Sequence, residues 1–183
     1  MHVIRSEPLP LVVLEPPDYG LLQTYYLQNK DHLAPWEPAR DEAYYAAASM
    51  RDLVAERHWH YEQQTALHLC AIDDGRMVAE CNFTNIVRGP LQACNLGFSV
   101  AKEREGRGIM TGVVKHGIEI MFSQYGLHRI EANYMPRNSR SPRVLERCGF
   151  VREGFARAYL KIAGQWEDHV LTALVNPSDR PSR

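Results

Sequence analysis

Apolar positions along the chain set out most of its elements. Met110, Val113, Val114, Ile118, Met121, Phe122 and Tyr125 recur three and four apart, which is one apolar face of an α-helix, and Gly126 stands where such a helix stops. Just upstream, Leu96, Phe98 and Val100 predict a mostly buried strand. From Thr65 the period changes to two. Leu67, Leu69 and Ala71 alternate with His68, Cys70 and Ile72, and Asp73-Asp74-Gly75 predicts a hairpin turn. Met77, Ala79, Cys81 and Phe83 then alternate with Val78, Glu80, Asn82 and Thr84.

Nearer the amino terminus, residues up to about Leu14 predict one strand. Asp18 is placed to cap a helix carrying Leu21, Leu22, Tyr25 and Tyr26, which Asn29 closes. Asp31 to Arg40 reads as a proline-punctuated loop, and Asp41 opens a long helix to about His60. Beyond Gly126, a strand is expected from His128 to Met135 and a short helix from about Ser141 to Cys148. Two closing strands surround the Ala163-Gly164 turn. Residues 1–175 are expected to form a single domain, and 176–183 a polar, frayed tail. The order is strand, two helices, three strands, helix, strand, helix, two strands. That is a mixed α/β (α+β) layered fold, not a regular βαβ array.

Composition narrows the function classes. The chain has 183 residues, 45% hydrophobic and 23% charged, as expected of a globular protein with a sizeable core. A formal charge of −1 supplies no basic field for avid binding of DNA or other nucleic acid. No apolar run reaches membrane-spanning length, and Leu11 to Leu14 is too short for a signal peptide, so a cytoplasmic protein is expected. Cys70, Cys81, Cys94 and Cys148 stand singly and read as small buried residues; no metal site is expected.

The junction between the Val100 strand and the Met110 helix carries the chemistry. The first turn of a helix leaves N–H groups without internal partners, and the peptide dipoles place partial positive charge there. Gly106 and Gly108 let the backbone turn at that point without a Cβ obstructing a ligand. A pyrophosphate fits such a place. So does the bland alternative of a tight turn packing a helix onto a sheet. There is no Gly-Lys-Ser/Thr of a P-loop and no third spaced glycine of a dinucleotide fold.

Glu105-Gly106-Arg107-Gly108-Ile109-Met110 resembles the acetyl-CoA pyrophosphate loop of the GNAT N-acetyltransferase superfamily, whose pattern is Gln/Arg-x-x-Gly-x-Gly/Ala. Glu105 replaces Gln/Arg, so its side chain is expected to point away from the phosphates while its backbone N–H serves. Met110 replaces the last Gly/Ala, as in the branch of ribosomal-protein N-terminal-alanine acetyltransferases. Likeness to that branch runs through His32–Arg40, Asn82–Gly89, Ala93-Cys94, His128–Pro136, Asn138, Ser141, Cys148–Phe150 and Gly164–Leu174.

The resemblance implies a central, mostly antiparallel, twisted sheet flanked by about four helices. Two central strands, here those ending near Val100 and Met135, splay apart to admit the pantetheine arm. Phe98, Ser99, Val100, Glu105, Gly106, Arg107, Gly108, Ile109, Met110, Thr111, Asn138 and Ser141 would then contact the coenzyme. Trp36, Glu37, Asn82, Asn85, Arg88 and Tyr134 would border the acceptor. Ser141 has two readings. Before Pro142 it is a natural helix N-cap, whereas the resemblance puts it beside the coenzyme sulphur, stabilising a thiolate or relaying a proton.

Glu80 and Glu131, on central strands, are weak candidates for the general base, which is not assigned; each reads more readily as an exposed strand carboxylate or a structural pair. Trp166 and Asp168 share one strand face and His169 the other, giving either an Asp–His contact or an acceptor wall. The activity implied is acetyl-CoA-dependent acetylation of a protein α-amine, above all an N-terminal alanine of a small-subunit ribosomal protein, by direct attack in a ternary complex. Two alternatives stay open. One is an acceptor that is a small-molecule amine (an aminoacyl nucleotide, an antibiotic or a polyamine), and the other is a ribosome- or RNA-associated module with little catalysis. The chain is expected to be a monomer or a homodimer.

Overall fold

The computed structural model describes residues 1–5 and 9–179. Among the described residues, eight strands form one sheet: β1 (His2–Arg5), β2 (Leu11–Val13), β3 (Leu67–Asp73), β4 (Arg76–Val87), β5 (Ala93–Val100), β6 (Arg129–Tyr134), β7 (Val151–Ile162) and β8 (Gln165–Val175), in the spatial order β1-β2-β3-β4-β5-β6-β8-β7. Every neighbouring pair is antiparallel except β5–β6. That parallel pair needs a crossover, and α3 (Ile109–Ser123) supplies it. The other helices are α1 (Tyr19–Leu33), α2 (Ala47–Glu62) and α4 (Ser141–Arg147).

Alternation in β3 explains why helices cover both faces. Leu67, Leu69 and Ala71 turn to a core shared with Val114 and Met121 of α3 and Leu145 of α4. Cys70 and Ile72 turn the other way, to Leu22, Tyr25 and Tyr26 of α1 and Met50 and Val54 of α2. The two short hairpins are set by their turns. Asp74 and Gly75 (φ 50° and 70°), like Ala163 and Gly164 (φ 46° and 82°), place two consecutive residues at positive φ, which matches the twist of the flanking strands.

Cys70, Cys81 and Cys94 are buried free thiols, and Cys148, at the end of α4, is half-buried. Burial pushes the Cys70 and Cys94 thiols up to about 12, so they stay protonated and unreactive.

Several expectations are corrected. The single amino-terminal strand is two, β1 and β2, paired antiparallel through His2↔Val13. Asp18 caps nothing in α1. Its carboxylate accepts instead from the Glu15 N–H at 3.0 Å and pairs with the Met1 amino group at 2.8 Å. Helix α1 does not stop at Asn29, which is buried within it and whose Oδ1 accepts from the Lys102 N–H at 3.0 Å. Asp41 caps only a 3-10 turn, Glu42–Tyr45, through Tyr44 N–H at 2.9 Å; Ala46 is extended, and α2 begins after it. Of the tail, Pro177–Asp179 form a 3-10 turn, with Asp179 paired to His128, and 180–183 lie outside the described residues.

One glycine is a packing requirement. A Cβ on Gly117 of α3 would lie 2.4 Å from Cε2 of the fully buried Phe83. Gly117→Ala is therefore expected to lower unfolding stability by about 1–3 kcal/mol, read as a lower urea midpoint with unchanged slope.

Candidate active site

Strands β5 and β6 pair only through Ala93–Asn95 and Arg129–Glu131. Past that point they diverge, while β4 still holds the outer edge of β5 and β8 that of β6. The gap opens into a groove of about 240 Å³ between Leu96–Ser99 and Ala132–Met135. A second cavity, about 460 Å³, runs from Phe98–Val100 along the loop after β5 to the start of α4. Trp36, Glu37, Phe98, Ser99, Asn138 and Ser141 line both, so the two cavities meet at these six residues.

The lining of the larger cavity can hold an anion. Gly106 and Gly108 have φ of 72° and 77°, and a Cβ on either would meet no protein atom within 4 Å. Backbone conformation, not crowding, requires glycine here. The N–H groups of residues 106–111 have no protein acceptor among the described residues, and those of 109–111 belong to the first turn of α3. The Glu105 N–H, expected to join them, is instead directed at the Lys102 carbonyl at 3.4 Å. Its carboxylate does not point away. It pairs with Arg140 and lies 3.5 Å from His32 Nε2, on the cavity wall.

All twelve residues assigned to the coenzyme line this cavity. Sequence reasoning missed His32, Leu33, Arg104, Arg140, Arg143, Val144 and Arg147. Arg107, Arg143 and Arg147 have no carboxylate partner among the described residues. A signal for part of this set exists in the spacing Arg140, Arg143, Arg147, which is one face of a helix starting near Ser141. A net charge of −1 hides that local concentration.

Ser141 is not the cap of α4. It is the first helical residue, and the cap position, Arg140, makes no capping bond with its side chain. Asn138 organises the turn. Its Oδ1 accepts from Arg140 N–H at 3.1 Å and Ser141 N–H at 3.0 Å, and its Nδ2 donates to Ser141 Oγ at 2.9 Å. The hydroxyl thus receives a hydrogen bond and keeps its own proton free to donate into the junction.

A polar network lies beneath the junction. Glu80, 3% exposed, accepts from the Tyr26 hydroxyl at 3.1 Å, Arg57 at 3.3 Å and the Ser99 hydroxyl at 3.3 Å. Arg57 also donates to the Tyr26 oxygen at 3.0 Å, and the Tyr25 and Ser99 hydroxyls lie 2.8 Å apart. Burial, with the nearby Glu80 charge, pushes both phenols well above their usual range, so they remain hydroxyls. Glu131 is elsewhere, bonded to Arg129 at 2.8 Å and outside both cavities.

Of the residues expected to border an acceptor, Trp36, Glu37, Asn82 and Tyr134 line the groove. Asn85 and Arg88 do not. Asn85, at φ 52° in a bulge of β4, bonds to Asn95, and Arg88 donates to the Tyr125 carbonyl near the end of α3. His169 is a groove wall, and its Nδ1 lies 3.0 Å from the Glu167 carbonyl, whereas Asp168 accepts from Ala158 N–H at 2.8 Å; the two side chains do not bond to each other. Arg137 clamps the loop before Glu37. It stacks 4.9 Å over Trp36, donates to the Pro35 carbonyl at 2.9 Å and pairs with Glu167 at 3.1 Å.

The chain's likeness to characterised proteins agrees with this arrangement. Residues 10–151 match the acetyltransferase (GNAT) domain family. The chain is 40% identical over 168 residues to the ribosomal protein uS5-alanine N-acetyltransferase of Escherichia coli K12, covering 91% of this chain and 87% of that one. The crystal structure of the ribosomal-protein-S5-alanine acetyltransferase from Vibrio fischeri superposes with a TM-score of 0.92 at 33% identity, covering 99% of this chain and 100% of that chain. Mycobacterium smegmatis RimJ, solved with CoA-disulfide, gives 0.87 at 30% identity, covering 95% and 85%. The chain therefore belongs to the GNAT acetyltransferase family and is an N-acetyltransferase that uses acetyl-CoA.

Proposed function

We propose that this enzyme acetylates the α-amine of an N-terminal alanine on a small-subunit ribosomal protein in the cytoplasm, by direct attack within a ternary complex. The observation that carries this reading is the meeting of the two cavities. One is lined by free amides and arginines, the other opens between β5 and β6, and Asn138 and Ser141 stand where they join. Likeness to the uS5-alanine enzyme of Escherichia coli over 91% of the chain supports the choice of acceptor. The small-molecule alternative draws less support, because Arg137 already stacks on the Trp36 ring.

In this reading the amides of residues 106–111 hold the diphosphate, with Arg107, Arg143 and Arg147 supplying positive charge nearby. Bound acetyl-CoA supplies an activated acyl group; the protein supplies position and electrostatics. Ser141, held by Asn138, donates its free proton toward the sulphur as charge develops. An α-amine, with a reference pKa of about 7.7–8.0, is partly neutral near pH 7, whereas a lysine amine at about 10.4 is not. The site is therefore expected to prefer terminal amines.

Incubation with acetyl-CoA and a peptide bearing a free N-terminal alanine should add one acetyl group by mass spectrometry. Blocking that amine should end turnover; equal turnover on the blocked peptide or on spermidine would overturn the assignment. Ser141→Ala is expected to lower kcat by roughly 10²-fold, the lower end of the loss of one oriented donor, with coenzyme affinity nearly unchanged. Single-turnover kinetics and calorimetry check the two parts separately.

A further inference from the structure

An ammonium cannot attack a thioester until it loses a proton, and the candidate carboxylates differ in how free they are to take it; Glu105, on the wall of the larger cavity, is paired with Arg140. Glu131 is bonded to Arg129 and lies outside both cavities. Glu80 lines the groove, but Tyr26, Arg57 and Ser99 all donate to it, and taking a proton would weaken these charge-assisted bonds. Glu37 is different. It lines both cavities, and its backbone is pinned on each side: its carbonyl accepts from Ala163 N–H at 2.9 Å, and the Pro35 carbonyl accepts from Arg137. Its carboxylate has no hydrogen bond or ion pair among the described residues.

We propose that Glu37 is the proton acceptor for the incoming α-ammonium, with Glu80, held by its own donors, beside it on the groove wall. The assignment rests on the acetyl-transfer reading above. In the step, the ammonium gives one proton to Glu37 and its nitrogen forms the amide bond as the carbon–sulphur bond breaks. The second nitrogen proton leaves with the thiol, and Glu37 returns its own to solvent.

The surroundings suit that role. Glu80 from β4, Arg57 from α2 and Arg40 from the loop act on Glu37. Tyr25 and Tyr26 of α1 and Tyr44 of the following turn feel its charge, and His169 of β8 lines the same groove. Burial first, and then Glu80, push the Glu37 carboxyl up to about 7, while the two arginines oppose. That lies close to the basicity of an α-amine, where proton exchange is efficient. The sign for stability is adverse. Between the ordinary carboxyl value and about 7 the native state holds a proton that the unfolded chain has released, so rising pH through that window weakens the fold. Two carboxylates, one saturated with donors and one without, divide the structural role from the chemical one.

The test is kcat against pH at saturating acetyl-CoA and alanine-terminated peptide, for the wild type, Glu37→Gln, Glu37→Asp and Glu80→Gln. The wild-type limb should rise with a midpoint of about 7. Glu37→Gln should lose roughly 10²-fold at neutral pH, with its limb moved toward about 8 so that the loss shrinks in alkali. Glu37→Asp should keep the low limb at reduced kcat, and calorimetry should find coenzyme affinity unchanged in both. A Glu37→Gln enzyme with wild-type kcat and limb overturns the assignment. So does a pH-independent loss shared by Glu37→Asp, or a limb abolished by Glu80→Gln alone. If the wild type binds coenzyme but acetylates no terminal amine, the proposed function falls and the base assignment with it.

Discussion

Gly108→Glu is expected to weaken coenzyme binding by roughly 10²-fold or more and to remove turnover at ordinary acetyl-CoA concentrations. Two effects combine. Gly108 sits at φ 77°, where a non-glycine residue is strained by about 1–2 kcal/mol, so the loop shifts its free amides out of register. The new carboxylate also stands at the amino end of α3, on the cavity wall, where an incoming diphosphate meets like charge; that juxtaposition costs several kcal/mol. Because the Cβ itself meets no protein atom within 4 Å, the core should survive. Calorimetry with CoA reads the affinity, and thermal unfolding reads the modest strain. Gly108→Ala separates the two causes, since it carries the strain without the charge. Normal CoA affinity in the glutamate variant would remove the pyrophosphate role from this loop.

Arg57→Met should be the most destabilising of the substitutions considered, at about 3–5 kcal/mol. Glu80, 3% exposed, would be left as a buried carboxylate without the guanidinium 3.3 Å away, and the Tyr26 oxygen would lose a donor at 3.0 Å. In a domain whose total stability is of the order of 5–15 kcal/mol, the melting temperature should fall by roughly 10 °C. Adding Glu80→Gln should recover part of the loss, because the penalty is mostly the stranded charge. The substitution also reaches the junction. Arg57 helps hold the Glu37 carboxyl down, so its removal raises Glu37 further and moves the activity limb to higher pH. Urea unfolding of the single and double variants checks the first effect, and a pH–rate profile checks the second.

Much of this protein was legible in short stretches of its chain, because the signals there are local. The apolar spacing from Met110 to Phe122 specifies α3 through helical period alone, and Asp74-Gly75 specifies a tight hairpin through two positive φ angles. Gly106 and Gly108 announce the anion loop for the same conformational reason, and the flanking motif identifies the acetyltransferase family.

What the local pattern did not contain was decided by contacts between distant segments. Asn29 reads as a helix stop, yet the Lys102 amide uses its side chain and α1 continues to Leu33. Asn85 and Arg88 read as acceptor residues, but the irregularity of β4 between Thr84 and Val87 carries them away from the groove. Glu105 reads as turned outward until α4 brings Arg140 to it. Glu37 acquires its chemistry only because β4 sets Glu80 near it and the fold leaves its carboxylate without a donor. Helix period, turn geometry and a glycine's freedom are properties of a few adjacent residues, so the sequence by itself determines them. Burial, charge neighbours and the meeting of two cavities are properties of segments far apart along the chain, and only the tertiary structure decides those.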